Sequence, residues 1–374
     1  MNRKLLLQKT HRFVLKIGSK VLTNKGRALS PQVFDRLAQE VNAAKKRGYE
    51  IVIVSSGAIA AGMARLGLTE KPKTMPQKQA AAAIGQSALM WNYERSFSFY
   101  GEKVAQILLT RDDLANRNRF LNARNTLFTL LSMGVIPIIN ENDTVVVEEI
   151  KVGDNDNLSA LVTNLVNADL LIILSDIDGL YDRDPRQFKN ARLIPLVSQI
   201  TEEMEEGAAG TSSPISIGGM VTKLEAARKA AFFGVPTILA NGLVPGIIER
   251  ILQGEEIGTL FVPQLNKLTS RKHWIAFTLK PKGKIMVDEG AKKAICQKGK
   301  SLLPSGVISV EGKFSVGDAV VLVDAQGQEF ARGLSNYGST EINKIKGLKS
   351  SAIIDKLGYK YSDEIIHRDD MAVI

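Results

Sequence analysis

The chain has few of the residues that staple a fold or bind a metal. Its single cysteine, Cys296, excludes an internal disulfide framework and fits a reducing compartment, so a cytoplasmic protein is expected. Three histidines beside one cysteine make a structural zinc site improbable on donor count, and no residue is expected to ligate a metal directly. No apolar run is long enough to cross a bilayer, and no membrane association is expected. The start, Met1-Asn-Arg-Lys-Leu-Leu-Leu-Gln-Lys9, is basic but holds only three consecutive leucines, so it is not expected to act as a signal peptide. The Walker A spacing Gly-x-x-x-x-Gly-Lys-Ser/Thr is missing too. No Ser/His/Asp or Cys/His set competes for catalysis, because His11, His273 and His367 stand apart from every motif. There is no internal repeat and no low-complexity tract.

What is there is the composition of a globular chain with a sizeable core: 374 residues, 44% hydrophobic and 24% charged, long enough for two or three domains. The net charge is +10. Residues 271–374 hold 17 Lys+Arg against 12 Asp+Glu, half of that surplus in little more than a quarter of the length. Such a surplus suits nucleic acid, anionic metabolites or plain solubility. The bland reading is preferred, because no cluster alternates basic and aromatic residues as a nucleic-acid surface does.

From His11 to about Phe261 the pattern alternates strands and helices. Strands are expected at 13–17, 51–54, 104–109, 135–139, 170–174 and 236–240, each a short buried apolar run. Helices are expected at 31–47, 77–99, 117–133, 157–167 and 219–233, with one more opening at Ser55–Gly62. Ser30 and Pro31 start the first of these and Gly48 ends it. This rhythm predicts an α/β fold, a mostly parallel open sheet sandwiched by helices. After a polar linker at 262–274 the chain changes character. Short strands at 284–287, 307–310, 319–323 and 329–332, with a helix near 292–298, predict a small β-barrel or sandwich. The boundary is placed near 270, giving domains 1–265 and 271–374.

The densest chemistry lies at Asn140-Glu-Asn-Asp143 and Asp154-Asn-Asp-Asn157. Carboxylates and amides packed this closely gain little from burial, so such a loop after a buried strand suits a polar ligand, a metal or a group of lysines. The alternative is a solvated loop of turn formers. Lys16-Ile-Gly18, at the end of the first strand, can aim an ammonium at a phosphate while glycine lets backbone N–H groups approach. Taken alone, a lysine there is more often merely solvated. Ser55-Ser-Gly-Ala-Ile-Ala-Ala-Gly62 is a small-residue strand-to-helix turn that suits an anion, or equally close helix–sheet packing. Ser175 and Asp176 follow a strand where a nucleotide would meet the sheet edge. Ile217-Gly-Gly-Met-Val-Thr-Lys223 joins two glycines, a helix start and a lysine, and the phosphate reading is favoured over a plain capped helix. Two lysines, two glycine turns and an acidic–amide loop at strand ends suit phosphoryl transfer, where catalysis is positioning and charge neutralisation.

These motifs resemble those of the bacterial glutamate 5-kinases, a branch of the amino-acid kinase family that carries a C-terminal PUA domain. The resemblance covers nearly the whole chain. It rests on Val14-Leu-Lys-Ile-Gly18, Ser56-Gly-Ala-Ile-Ala-Ala-Gly62, Leu109-Thr-Arg111, Arg119-Phe-Leu-Asn-Ala-Arg124, Ile139-Asn-Glu-Asn-Asp143, Ile150-Lys-Val-Gly-Asp-Asn-Asp-Asn-Leu-Ser-Ala160, Gly219-Met-Val-Thr-Lys-Leu224, Ser301-Leu-Leu-Pro304 and His367-Arg-Asp-Asp-Met371. The resemblance implies that ATP and L-glutamate, with Mg²⁺, give L-glutamyl 5-phosphate, the first step of proline synthesis. It implies that Lys16 and Lys223 neutralise the transferred phosphoryl group and that Asp156 holds them. It implies that Ser56, Asp143, Asp154 and Asn155 bind glutamate. ATP would fall to Lys16, Ser175, Asp176, Ile217, Gly218, Gly219, Met220, Val221, Thr222 and Lys223. One departure is Ile217, where the family usually has threonine; a hydroxyl expected beside the phosphates is missing. Feedback inhibition by proline and a homo-oligomer, dimer or tetramer, also follow from the resemblance. Rival readings are an acetylglutamate, aspartate, carbamate or uridylate kinase, against which the Asn140–Asp143 loop argues, and an RNA-binding protein. RNA binding by the C-terminal domain is the least favoured.

Overall fold

The computed structural model describes residues 3–24, 28–145, 154–201, 204, 217–263 and 279–374. The chain divides into two compact units, Met1–Ala115 with Asn122–Gln264, and Asn116–Leu121 with Leu265–Ile374. Most of the linker expected at 262–274 lies outside the described residues.

In the first unit β1 (Arg12–Ile17) runs parallel to β4 (Glu50–Ser55) on one side and β7 (Leu170–Ser175) on the other. β5 (Val104–Leu109), β6 (Ile136–Glu141), β8 (Leu196–Val197), β9 (Thr237–Asn241) and β10 (Thr259–Phe261) complete the sheet. Its order is β5-β6-β4-β1-β7-β9-β10-β8. Every pairing is parallel except β10 against β9. The short strands β2 (Thr23–Asn24) and β3 (Ala28–Leu29) pair only with each other. The central strands are buried along almost their whole length, as continuous Ile/Val/Leu runs between two helical layers require.

Two-residue periodicity decides which face each β1 side chain meets. Phe13, Leu15 and Ile17 join one core with Phe34, Leu37 and Val41 of the helix Pro31–Lys46, and Leu89, Tyr93 and Phe97 of Met75–Ser98. Lys16 points to the other face, which the helices Asp154–Leu165 and Ile217–Phe232 cover. The helices Ala58–Arg65 and Met75–Ser98 meet backbone to backbone: a Cβ on Gly62 would lie 1.7 Å from Ala81 O, and one on Gly85 1.8 Å from Ala58 O. Only glycine fits either place.

The strands and helices expected from the sequence here begin and end within a few residues of the observed ones. The edge strand β8 and its neighbour β10 carry too few residues to give a periodic signal. Among the described residues no helix is long and apolar enough to cross a membrane.

In the second unit β11 (Gly283–Val287), β12 (Val307–Gly312), β13 (Ala319–Val323), β14 (Glu329–Leu334) and β15 (Met371–Val373) form a five-stranded sheet in the order β12-β11-β13-β14-β15. Only β11 and β13 are parallel. Its core gathers Ile285, Leu322, Tyr337, Ile342 and Ile366. The helix Glu289–Lys298 is capped by Asp288, which accepts from the Ala291 N–H, and stopped by Gly299 at φ 57°. The helices Ser339–Ile345 and Ile353–Leu357 and strand β15 were not anticipated.

Candidate active site

Because β1, β4, β6 and β7 are parallel, their C-terminal ends share one edge of the sheet, where open α/β folds bind ligands. Lys16 sits one residue before the end of β1, paired laterally with Val54 and Ile173. Gly18 then turns the chain across that edge, its N–H donating to Leu174 O at 3.0 Å.

Asp156 is the third residue of its helix and fully buried. A carboxylate in a first helical turn is favoured by the free N–H groups there. Its Oδ1 lies 2.5 Å from Lys16 Nζ, and its Oδ2 accepts from Lys223 Nζ at 3.1 Å and Thr222 Oγ1 at 2.8 Å. Lys223 also donates to Gly219 O, one turn back, at 2.7 Å. The neighbouring Asn157 sets the register of the two helices, donating to Glu225 and accepting from Lys229.

Burial would raise the Asp156 carboxyl, but the two ammoniums and the Thr222 hydroxyl outweigh it and hold it below the usual carboxylate range. Burial also lowers the Lys16 ammonium; Asp156 opposes that effect and Lys223 adds to it, leaving Lys16 below an ordinary lysine. The cluster therefore presents two positive charges on one negative charge, both lysines being buried.

Beside it, the Ser56 N–H donates to Ile17 O at 3.1 Å, and Gly57 adopts φ 103° to open the helix Ala58–Arg65. That left-handed turn favours glycine. Ser55, fully buried, bonds its Oγ to Tyr93 Oη at 2.9 Å. At the end of β6, Asn140 accepts at Oδ1 from the Glu141 N–H and from Asn155 Nδ2, and its Nδ2 donates to Gln86 Oε1. Asp143 follows, half-buried, in a turn where Asn142 accepts from Thr144. The Asp154 side chain and residues 146–153 lie outside the described residues, so that part of the expected glutamate site has no observed geometry.

At the end of β7, Ser175 Oγ donates to Asp176 Oδ1 at 3.2 Å, and Asp176 Oδ2 pairs with Lys20 Nζ at 2.8 Å. Burial would raise the Asp176 carboxyl, but the bond from Lys20 leads the effects that hold it low. Ile217, Gly218, Gly219, Met220, Val221, Thr222 and Lys223 form the first two turns of one helix. Ser216 and the side chain of Ile217 lie outside the described residues. A Cβ on Gly219 would meet nothing within 4 Å among the described residues.

The structure thus brings Lys16, Asp156, Thr222 and Lys223 into direct contact, with Asn155 and Asn140 in the adjoining amide chain. Ser56 and Asp143 follow the neighbouring strand ends; Ser175 and Asp176 form a separate group with Lys20. Lys20, Gln86 and Tyr93 escaped the sequence reading. The signal for Lys20 was available, four residues beyond Lys16 on the same turn.

The arrangement can neutralise a polyanion at the two buried lysines. The sequence pattern of the amino acid kinase family matches residues 11–241, and that of the PUA domain residues 283–357. Curated relatives extend over the full chain. A glutamate 5-kinase of Geobacter sulfurreducens is 58% identical over 369 residues, 99% of either chain. One of Geobacter metallireducens is 58% identical over 372 residues, covering 100% of both. One of Caldanaerobacter subterraneus subsp. tengcongensis is 52% identical over 363 residues, 97% of this chain and 98% of its own.

Proposed function

The chain belongs to the amino acid kinase family, and from that premise we propose that it is a glutamate 5-kinase with a C-terminal PUA domain. It transfers the γ-phosphoryl group of ATP to the side-chain carboxylate of L-glutamate, giving L-glutamyl 5-phosphate and ADP, the first step of proline synthesis. A bond forms between a carboxylate oxygen and the γ-phosphorus. The bond from that phosphorus to the β–γ bridging oxygen breaks, and ADP leaves with the electron pair. No proton has to move, because a carboxylate is already ionised at neutral pH.

The observation that carries this reading is Asp156 set between two buried ammoniums from different elements. Catalysis is then electrostatic: Lys16 and Lys223 meet the charge spread over the transferred group, and Asp156 fixes where they stand. Ser56, the Gly57 turn, Asp143, Asp154 and Asn155 take glutamate. Ser175, Asp176 and the turn from Ile217 to Lys223 take ATP. Among the described residues no group of three or more His, Cys, Asp or Glu side chains is placed to hold a metal. A magnesium ion carried on the triphosphate needs one or two carboxylates at most, and Asp176, beside Ser175 at the end of β7, could supply one. Bound there, the ion would add charge neutralisation. Inhibition by proline, assembly as a dimer or tetramer, and a cytoplasmic location belong to the same reading. The first two rest on the resemblance alone, and the third on the lone cysteine.

ADP release from ATP–Mg²⁺ with glutamate, aspartate, N-acetylglutamate and UMP, for wild type and Lys223→Ala, tests the proposal. Turnover with glutamate alone, lost in the variant, is expected. Turnover with another acceptor, or none, sinks it.

A further inference from the structure

One backbone group orients the whole amide chain Gln86–Asn140–Asn155. The Glu141 N–H can only donate, and it does so to Asn140 Oδ1 at 2.9 Å. Asn140 must therefore turn its NH₂ the other way, where it donates to Gln86 Oε1 at 2.8 Å. Asn155, for its part, must donate to Asn140 Oδ1, at 3.0 Å. The outer amides are left with opposite ends. Gln86 Nε2 is a buried donor and Asn155 Oδ1 a buried acceptor, and neither has a hydrogen-bond partner among the described residues. Buried amide ends are costly to leave unmade, so a pair of them at one site points to a ligand that completes both. A donor at one end and an acceptor at the other match the carboxylate and ammonium of an amino acid.

We propose that Gln86 is a substrate-specificity residue: its Nε2 donates to the carboxylate of glutamate that is not phosphorylated. The inference rests on the kinase reading above. Gln86 stands at the end of the amide chain away from Asn155, the neighbour of Asp156 and its two lysines. Matched to Gln86 Nε2 and Asn155 Oδ1, the carboxylate and ammonium that share the α-carbon are both engaged, which leaves the side-chain carboxylate for the two lysines. Gly85, beside it, packs against Ala58 at the start of the helix Ala58–Arg65, so Gln86 shares that region with N–H groups that favour an anion.

Gln86→Glu separates contact from support. The new carboxylate still accepts from Asn140 Nδ2 but cannot donate, and it repels a substrate carboxylate. The KM for glutamate should rise about 10- to 100-fold, with the KM for ATP within about twofold of wild type. Gln86→Met, which removes both roles without adding charge, should raise it less. A second reading is internal to each protein and independent of its yield: the preference for glutamate over its α-carboxamide. It should shrink in Gln86→Met and shrink further in Gln86→Glu, where the carboxamide can donate to the introduced group. A wild-type KM for glutamate in Gln86→Glu, or an unchanged preference in both variants, overturns the assignment. A wild type that does not phosphorylate glutamate overturns the kinase reading itself and the inference with it, whereas an active wild type beside an unaffected variant overturns the inference alone.

Discussion

Lys16 and Asp156 face each other at 2.5 Å with side chains 5% and 1% exposed, an ion pair closed off from water. A pair buried this deeply is weak as a source of net stability but costly to break from one side. Asp156→Asn keeps the shape and a possible bond to Thr222 but leaves two ammoniums uncompensated. It should destabilise the fold by about 3–5 kcal/mol and lower kcat by about 10²–10³. Thermal denaturation and steady-state kinetics measure both; a wild-type kcat would mean that the carboxylate does not position the lysines.

The same cluster sets two limits on pH. The folded Asp156 carboxyl lies below its unfolded value, so its contribution is complete above the unfolded value near 4 and is lost as pH falls through the folded one. Acid unfolding should accordingly flatten in Asp156→Asn. Lys16 is shifted the other way from a stabilised lysine. Its charge is disfavoured by burial, so stability gains as pH rises through the lowered value, while activity loses the charge it needs. The alkaline limb of kcat should therefore fall below the pH where an ordinary lysine titrates. A kcat flat to that pH would argue against Lys16 as the group.

Lys20 reaches Asp176 across the ends of β1 and β7. Both groups are substantially exposed, so their coupling is small and screened by salt. With ATP bound, the ammonium has a polyanion to turn to. Lys20→Ala should raise the KM for ATP about two- to fivefold, leave kcat nearly unchanged, and weaken the salt dependence of that KM. An unaltered KM at low salt would remove Lys20 from the nucleotide site.

Two glycines make opposite predictions. Gly85→Ala places a methyl 1.8 Å from Ala58 O, so the helix pair must move apart; a loss of at least about 1–3 kcal/mol is expected. Gly219→Ala meets nothing among the described residues and lies in a helix, where alanine is favoured by about 0.5–1 kcal/mol. It should hold or raise Tm while raising the KM for ATP. A Gly219→Ala protein with unchanged KM would show that no phosphate approaches that turn.

The sequence made the central strands legible because Ile51-Val-Ile-Val54 and Leu170-Leu-Ile-Ile-Leu174 are apolar on both faces and bounded by turn formers. It made Lys16 and Lys223 suspicious because each lies beside glycine at a strand or helix end. Their meeting at Asp156 depends on the packing of helices more than sixty residues apart, which no local pattern encodes. Gln86 was hidden for a similar reason. It is one of several polar residues in an alanine-rich helix, and its meaning comes from Asn140, 54 positions away. β10 and β15 were missed because three residues carry no period.

The far edge of the large sheet is built out of chain order. β8 comes before β9 in sequence but lies outside β10, which alone joins it to the rest. On the ribosome, Leu196 and Val197 thus emerge with no neighbour to join until Thr259–Phe261 has followed. Until then β9 offers an uncovered row of peptide groups to any other nascent strand. The completion of this edge is a late event in biogenesis, and a stall in translation between these segments exposes the chain to mispairing.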